Sequence, residues 1–106
     1  MPGGIGAAAQ VQAHTPGAES EWQVYILECA DGSLYTGIAR NLQRRLAQHN
    51  GDLAGGPRYT RGRRPVTLRW CDAAADRSTA LRREAAIKRL SRDSKLALIR
   101  SAAGSA

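Results

Sequence analysis

Apolar side chains first gather at Trp22 and run almost unbroken through "WQVYILEC" to Cys29. The run is β-branched and aromatic and has the length of one strand. "ADGS" closes it, and the Asp31-Gly32 pair is a strong short-range hairpin signal, so "SLYTGI" from Ser33 to Ile38 returns as a second strand. The period then changes from that of a strand to that of a helix. Leu42 and Leu46 form an i, i+4 pair, Asn41 suits an N-cap and Asn50-Gly51 supplies a left-handed stop, which predicts a helix over residues 42–49. Residues 51–65, "GDLAGGPRYTRGRRP", are rich in Gly, Pro and Arg and read as a loop. "VTLRWC", Val66 to Cys71, regains the strand period. Ser78 can cap a second helix through Leu90, and Ser91, with Asp93 in the first turn, opens a last one ending near Arg100. The predicted order is β-β-α-β-α-α, an α/β fold with a small three-stranded antiparallel sheet flanked by helices and no internal repeat.

The ends of the chain lack such patterning. Residues 1–20 mix Gly, Ala, Pro and polar residues without a sustained period, cannot bury enough apolar area to offset ordering, and read as a disordered tail. The domain is expected over residues 21–101, with a second short tail over 102–106. There is no basic start followed by an apolar run of about 7–15 residues, as a secretory signal requires. Nor does any stretch approach the ~20 apolar residues of a membrane span. A cytoplasmic monomer with no membrane partner is the expectation. Cys29 and Cys71, forty-two residues apart and without metal-ligand spacing, read as small buried hydrophobes, with a disulfide as the alternative.

Charge changes the picture. Sixteen Lys and Arg stand against nine acids in 106 residues, a formal net charge of +7, and fourteen of the sixteen are Arg. The planar guanidinium fork suits phosphate, so the excess favours a polyanion partner over one that serves solubility alone.

Placed on the predicted elements, a few residues carry chemistry. Tyr25 and Tyr35 fall near one another across the hairpin, and Gly37, on the same face as Tyr35, leaves room for a backbone or a phosphate. Arg45 and His49 lie one turn apart, bordering the stripe that Leu42 and Leu46 bury. Either can also be an ordinary surface group: a snorkelling arginine, and a cationic histidine at a helix C-terminus. Glu84 shares an apolar stripe with Ala80, Leu81 and Ile87, where a carboxylate is costly unless paired, for instance with Arg45, or bound to an ion such as Mg²⁺. In the loop, Arg58, Arg61, Arg63 and Arg64 can neutralise phosphates, and Tyr59 can stack on a base.

Taken together and in this order, these residues resemble the GIY-YIG nuclease superfamily, in particular its small stand-alone bacterial branch, over roughly Trp22 to Ile99. "QVY" (Gln23 to Tyr25) stands at the first motif, with Gln23 in place of its glycine, and "YTG" (Tyr35 to Gly37) at the second. Ile38 stands where some relatives that act in DNA repair carry a lysine. Arg45 matches the family's catalytic arginine, His49 a position often filled by His or Tyr, and Glu84 its metal-binding glutamate. "RYTRGRRPV" and "LRREAAIKRLSR", the latter with Lys88 as a further nucleic-acid contact, look like the small branch. The resemblance implies an endonuclease that hydrolyses phosphodiester bonds with Mg²⁺ or Mn²⁺ as cofactor and DNA as partner, RNA remaining open. Besides Glu84 the chain offers few acids, and Asp31, Asp52, Asp72, Asp76 and Asp93 lie in predicted turns, loops or helix starts, so one ion rather than two is expected. The general base is one of Tyr35, Tyr25 and His49, a tyrosine serving if Arg45 or the ion lowers its pKa. The alternatives are a nucleic-acid-binding module of the same fold with no useful rate, and an adaptor for an acidic protein.

Overall fold

The unbroken apolar run at the start of the domain is explained by its place in the sheet. In the computed structural model, which describes residues 22–104, β1 (Trp22–Glu28) lies between β2 (Leu34–Ala39) and β3 (Thr67–Ala74), antiparallel to both. The expected tail over residues 1–20 lies outside the described residues. Both faces of β1 are covered, so Val24, Tyr25, Ile26 and Leu27 are all buried, without the alternation of a strand that has one wet face. On one face Val24 and Ile26 join Trp70 and Ala74 of β3 under Ala80 and Ile87 of α3 (Arg77–Lys88) and Ile99 of α4 (Arg92–Gly104). On the other, Tyr25, Leu27 and Ala39 pack with Leu42 and Leu46 of α1 (Leu42–His49). Each fully buried aliphatic or aromatic side chain stabilises the fold by about 1.5–3 kcal/mol, so a small domain depends on this double use of one strand.

Local chemistry sets the register. Gly32, at φ 86°, turns the chain, its N–H donating to the Cys29 carbonyl, while the Asp31 carboxylate accepts from the Ser33 N–H and hydroxyl. That turn places Tyr25 opposite Gly37 and Leu27 opposite Tyr35. α1 has the predicted bounds: the Asn41 side chain accepts from the Arg44 N–H at 3.0 Å, and Gly51, at φ 85°, carries the left-handed stop.

Several boundaries differ from those expected. The loop after α1 contains a helical turn, α2 (Arg58–Arg61), too short and too closely flanked by Gly and Pro to show a period. β3 continues past Cys71 to Ala74 because pairing with β1 carries residues of low strand propensity, including Asp72, which is therefore on a strand and pairs with Arg83 at 2.8 Å. Asp76, not Ser78, caps α3 by accepting from the Thr79 N–H at 2.7 Å, and α3 ends at Lys88 rather than Leu90. Ser91 does accept from the Ser94 N–H, but α4 runs through Gly104, so residues 102–104 belong to a helix rather than to the expected tail. Both cysteines are free, Cys29 buried and Cys71 half-buried, which removes the disulfide alternative. Among the described residues no helix is long and apolar enough to cross a membrane.

Candidate active site

Tyr25 is the centre from which the site is built. It lies in the middle of β1 and points toward α1, and the space for its ring exists because Gly37 opposite has no side chain: a Cβ there would lie 2.6 Å from Tyr25 Oη. The open space expected at Gly37 is thus occupied by a tyrosine of the same chain, not left for a phosphate. From α1, His49 meets this phenol. Tyr25 Oη and His49 Nε2 are 2.8 Å apart, and the other ring nitrogen, Nδ1, is 2.9 Å from Thr60 Oγ1 on α2. Both residues are fully buried. Tyr35 completes the cluster, its ring 6.4 Å from that of Tyr25, 5.0 Å from that of His49 and 5.7 Å from that of Tyr59. Tyr35 is half-buried, and among the described residues its hydroxyl has no hydrogen-bond partner.

Burial decides the protonation of this cluster. It pushes the Tyr25 phenol up to about 12, with the neighbouring Tyr35 adding to it; the Arg45 guanidinium pulls the other way and loses. The expectation that Arg45 lowers this phenol into a useful range therefore fails for Tyr25 in the resting protein. His49 moves down to about 4, chiefly through burial and then through the charges of Arg45 and Arg64. It is a neutral core group, and the reading of it as a solvated cation at a helix end is corrected: the helix C-terminus is served by an arginine instead.

That arginine is Arg64. Its Nε donates to the His49 carbonyl at 2.7 Å and its Nη2 to the Gln48 carbonyl at 3.4 Å, so it closes carbonyls that α1 cannot satisfy internally. Arg63 is also engaged, donating to Asp31 at 3.2 Å and to the Tyr59 carbonyl at 2.7 Å, with its guanidinium 4.1 Å from the centre of the Tyr59 ring. Of the four arginines expected to track a backbone, these two hold the loop to α1 and to the hairpin turn. Arg58 and Arg61 stay exposed without such ties among the described residues. Tyr59 is exposed at its edge but has one face covered by Arg63, so only part of the ring remains for stacking.

Arg45 and Glu84 approach Tyr25 from two different helices. Arg45 is half-buried and fixed by donating from Nη1 to Gln48 Oε1 at 2.8 Å and to the Gly55 carbonyl at 3.2 Å. Glu84 lies between Ala80 and Ile87 on the buried side of α3, whereas Leu81 faces out. Its charge is close enough to raise the Tyr25 phenol. The ion-pair partner is Lys88, one turn on, at 3.4 Å, and not Arg45. The Glu84 side chain is 18% exposed and that of Lys88 55%, so the carboxylate is shielded while its counter-ion is in water. Lys88 therefore sits beside Glu84. Among the described residues no group of three or more His, Cys, Asp and Glu converges. One shielded, partly exposed carboxylate suits Mg²⁺ or Mn²⁺, which accept one or two protein carboxylates and keep several waters. It does not suit a cage of nitrogen and sulfur ligands.

Tyr25, Tyr35, Arg45, His49 and Glu84 are thus brought to one place, as the sequence suggested. Thr60 was missed: a threonine in a Gly- and Arg-rich loop carries no periodic signal, and only the fold shows that it meets a histidine eleven residues away. Ile38 turns to the opposite face and packs against the core under α3 and α4.

With this geometry in place, comparison with known proteins is informative. The family described as the GIY-YIG catalytic domain matches residues 21–97. A UPF0213 protein of Desulfotalea psychrophila is 52% identical over 80 residues, which is 76% of this chain and 72% of that one. Another, from Halobacterium salinarum, is 54% identical over 76 residues, 71% of this chain and 95% of that one. The solution NMR structure of a UPF0213 protein from Bacillus halodurans is 40% identical, with a TM-score of 0.48, covering 74% of this chain and 82% of that chain. The match extends from β1 into α4 and so includes each of the five converging side chains. The chain belongs to the GIY-YIG catalytic domain family, among its small single-domain members.

Proposed function

We propose that the protein is a divalent-metal-dependent endonuclease that hydrolyses phosphodiester bonds in DNA with a single ion. The observation that carries this reading is the convergence of an anchored guanidinium, Arg45, and a shielded carboxylate, Glu84, on one tyrosine, Tyr25, beside the free hydroxyl of Tyr35. Glu84 would hold Mg²⁺ or Mn²⁺, which when bound supplies Lewis-acid stabilisation of phosphate and leaving oxygens.

The remaining work falls to the chain's own groups. Arg45, held by Gln48 and Gly55 before substrate arrives, opposes the charge that develops on the phosphoryl oxygens. A preorganised donor of this kind is worth roughly 3 kcal/mol, about two orders of magnitude in rate. Tyr35 orients the attacking water or a phosphate oxygen with its unengaged hydroxyl. A phenol at about 12 is no free-standing base, so Tyr25 acts as a relay: as it takes the proton of the water at Oη, its own proton passes to His49 Nε2 at 2.8 Å. His49 is the terminal acceptor. The cost of charging it is offset by the negative charge accumulating on the phosphoryl group. Arg58 and Arg61 neutralise backbone phosphates beside the site, with Lys88 at its other wall.

The test is a panel of labelled single-stranded, duplex and branched DNA and RNA incubated with Mg²⁺, Mn²⁺ or EDTA. The expected result is cutting of DNA with either metal, none in EDTA, and a loss of about 100-fold in Arg45→Ala. Binding without cutting in every metal contradicts the nuclease reading and leaves a binding module of the same fold.

A further inference from the structure

His49 is held between two hydroxyls, Tyr25 Oη on Nε2 at 2.8 Å and Thr60 Oγ1 on Nδ1 at 2.9 Å. A neutral imidazole carries one proton, so one nitrogen donates and the other accepts. The two possible tautomers have opposite consequences for Tyr25.

The loop end of the row selects between them. At the loop end, Thr60 Oγ1 lies 3.3 Å from the carbonyl of Pro57, three residues earlier. A carbonyl only accepts, and a threonine hydroxyl back-bonded to the preceding turn is a recurrent arrangement. With its one proton committed there, Thr60 can only accept from His49, and Nδ1 must carry the hydrogen. At the sheet end, the Tyr25 hydroxyl lies within hydrogen-bond distance of His49 Nε2, at 2.8 Å. With the hydrogen on Nδ1, Nε2 is the acceptor and the Tyr25 O–H donates to it.

We infer that Thr60 is a positioning residue: anchored on the Pro57 carbonyl, it fixes His49 as the Nδ1–H tautomer and so makes Nε2 the acceptor for the Tyr25 hydroxyl. α2, which also carries Arg58, Tyr59 and Arg61, thereby sets the direction in which a proton can leave the site. With the opposite tautomer, His49 would donate to Tyr25 from Nε2 and could not take its proton. This inference deepens the proposed nuclease function and rests on it for its consequence in catalysis; the hydrogen-bond direction stands without it.

The test reads that direction without any substrate. Two-bond ¹H–¹⁵N correlation spectra of the full chain distinguish the imidazole tautomers, and His14→Gln leaves His49 as the sole histidine, since the sequence contains two. The wild-type ring and Thr60→Ser are expected to give the Nδ1–H pattern alone. Thr60→Val, which keeps the shape and removes the hydroxyl, is expected to give Nε2–H or a mixture; Thr60→Ala serves if the valine variant does not fold. An Nε2–H pattern in the wild type overturns the inference outright. An unchanged Nδ1–H pattern in both Thr60→Val and Thr60→Ala overturns the role given to Thr60. In cleavage, Thr60→Val should lower kcat by about 10- to 100-fold with KM unchanged, as loss of an outer-shell partner does, and Thr60→Ser should restore it. A protein that never cuts contradicts the nuclease function while leaving the tautomer result in place.

Discussion

At the scale of single residues, the burial of His49 makes a pH dependence that can be measured apart from activity. Its ordinary value of 6.5 falls to about 4 in the folded protein. Between those values the unfolded chain takes up a proton that the native state refuses, so stability is complete above about pH 6.5 and declines as pH falls toward 4. At ~1.4 kcal/mol per pH unit the loss amounts to about 3 kcal/mol, a large part of the 5–15 kcal/mol typical of a domain. Asp31 and Asp76, held low by bonds from Ser33 and Thr79, lose their contributions only below the ordinary carboxylate range near 3.8, outside this window. Urea midpoints should therefore drop between pH 7 and pH 4.5 in the wild type and much less in His49→Gln; equal drops would place the titration elsewhere. The neutrality of His49 was not legible in the sequence. A histidine in the last turn of an amphipathic helix has the spacing of a boundary residue, and whether it is wet or dry depends on what the following loop lays over it. Here that is Thr60.

At the scale of elements, the hairpin is more tightly specified than its two tyrosines suggest. Gly37→Ala puts a methyl 2.6 Å from Tyr25 Oη, within a ring packed on both sides, so the phenol must leave His49 or the strands must separate. Thermal or urea unfolding should show a loss of about 1–3 kcal/mol, the usual cost of overpacking, and the Tyr25 hydroxyl should lose its hydrogen-bonded signature; neither change would mean that the ring has another place to go. The α1 terminus gives a second test. Arg64→Ala removes bonds to the His49 and Gln48 carbonyls and should destabilise the fold by about 1–2 kcal/mol, measurable as a shift in the urea midpoint. Arg58→Ala should leave stability unchanged. The elements themselves were largely legible, because apolar period, the Asp31-Gly32 turn and the Asn41 cap each act locally. The pairing that extends β3 to Ala74 and the helical turn at Arg58–Arg61 were not, since both are imposed by neighbours distant in sequence.

At the scale of the whole molecule, the formal charge of +7 divides into working and structural parts. Arg63, Arg64, Arg69 and Arg83 are bound to carboxylates or carbonyls, whereas Arg58 and Arg61 remain exposed and untied among the described residues. If those two each neutralise one phosphate of a duplex, the double alanine variant should weaken binding and reduce the slope of log K against log salt by about 1.8. An unchanged slope would remove them from the interface. The claim that unites all three scales is that Glu84, half-hidden on α3, serves chemistry rather than packing. It is tested most directly with Glu84→Gln, which keeps size and removes charge, by measuring cleavage and affinity on one DNA substrate in Mg²⁺ at fixed salt. The prediction is cleavage reduced below detection with affinity retained or raised, because a negative charge near the phosphate has been removed. Cleavage at the wild-type rate in Glu84→Gln would contradict it.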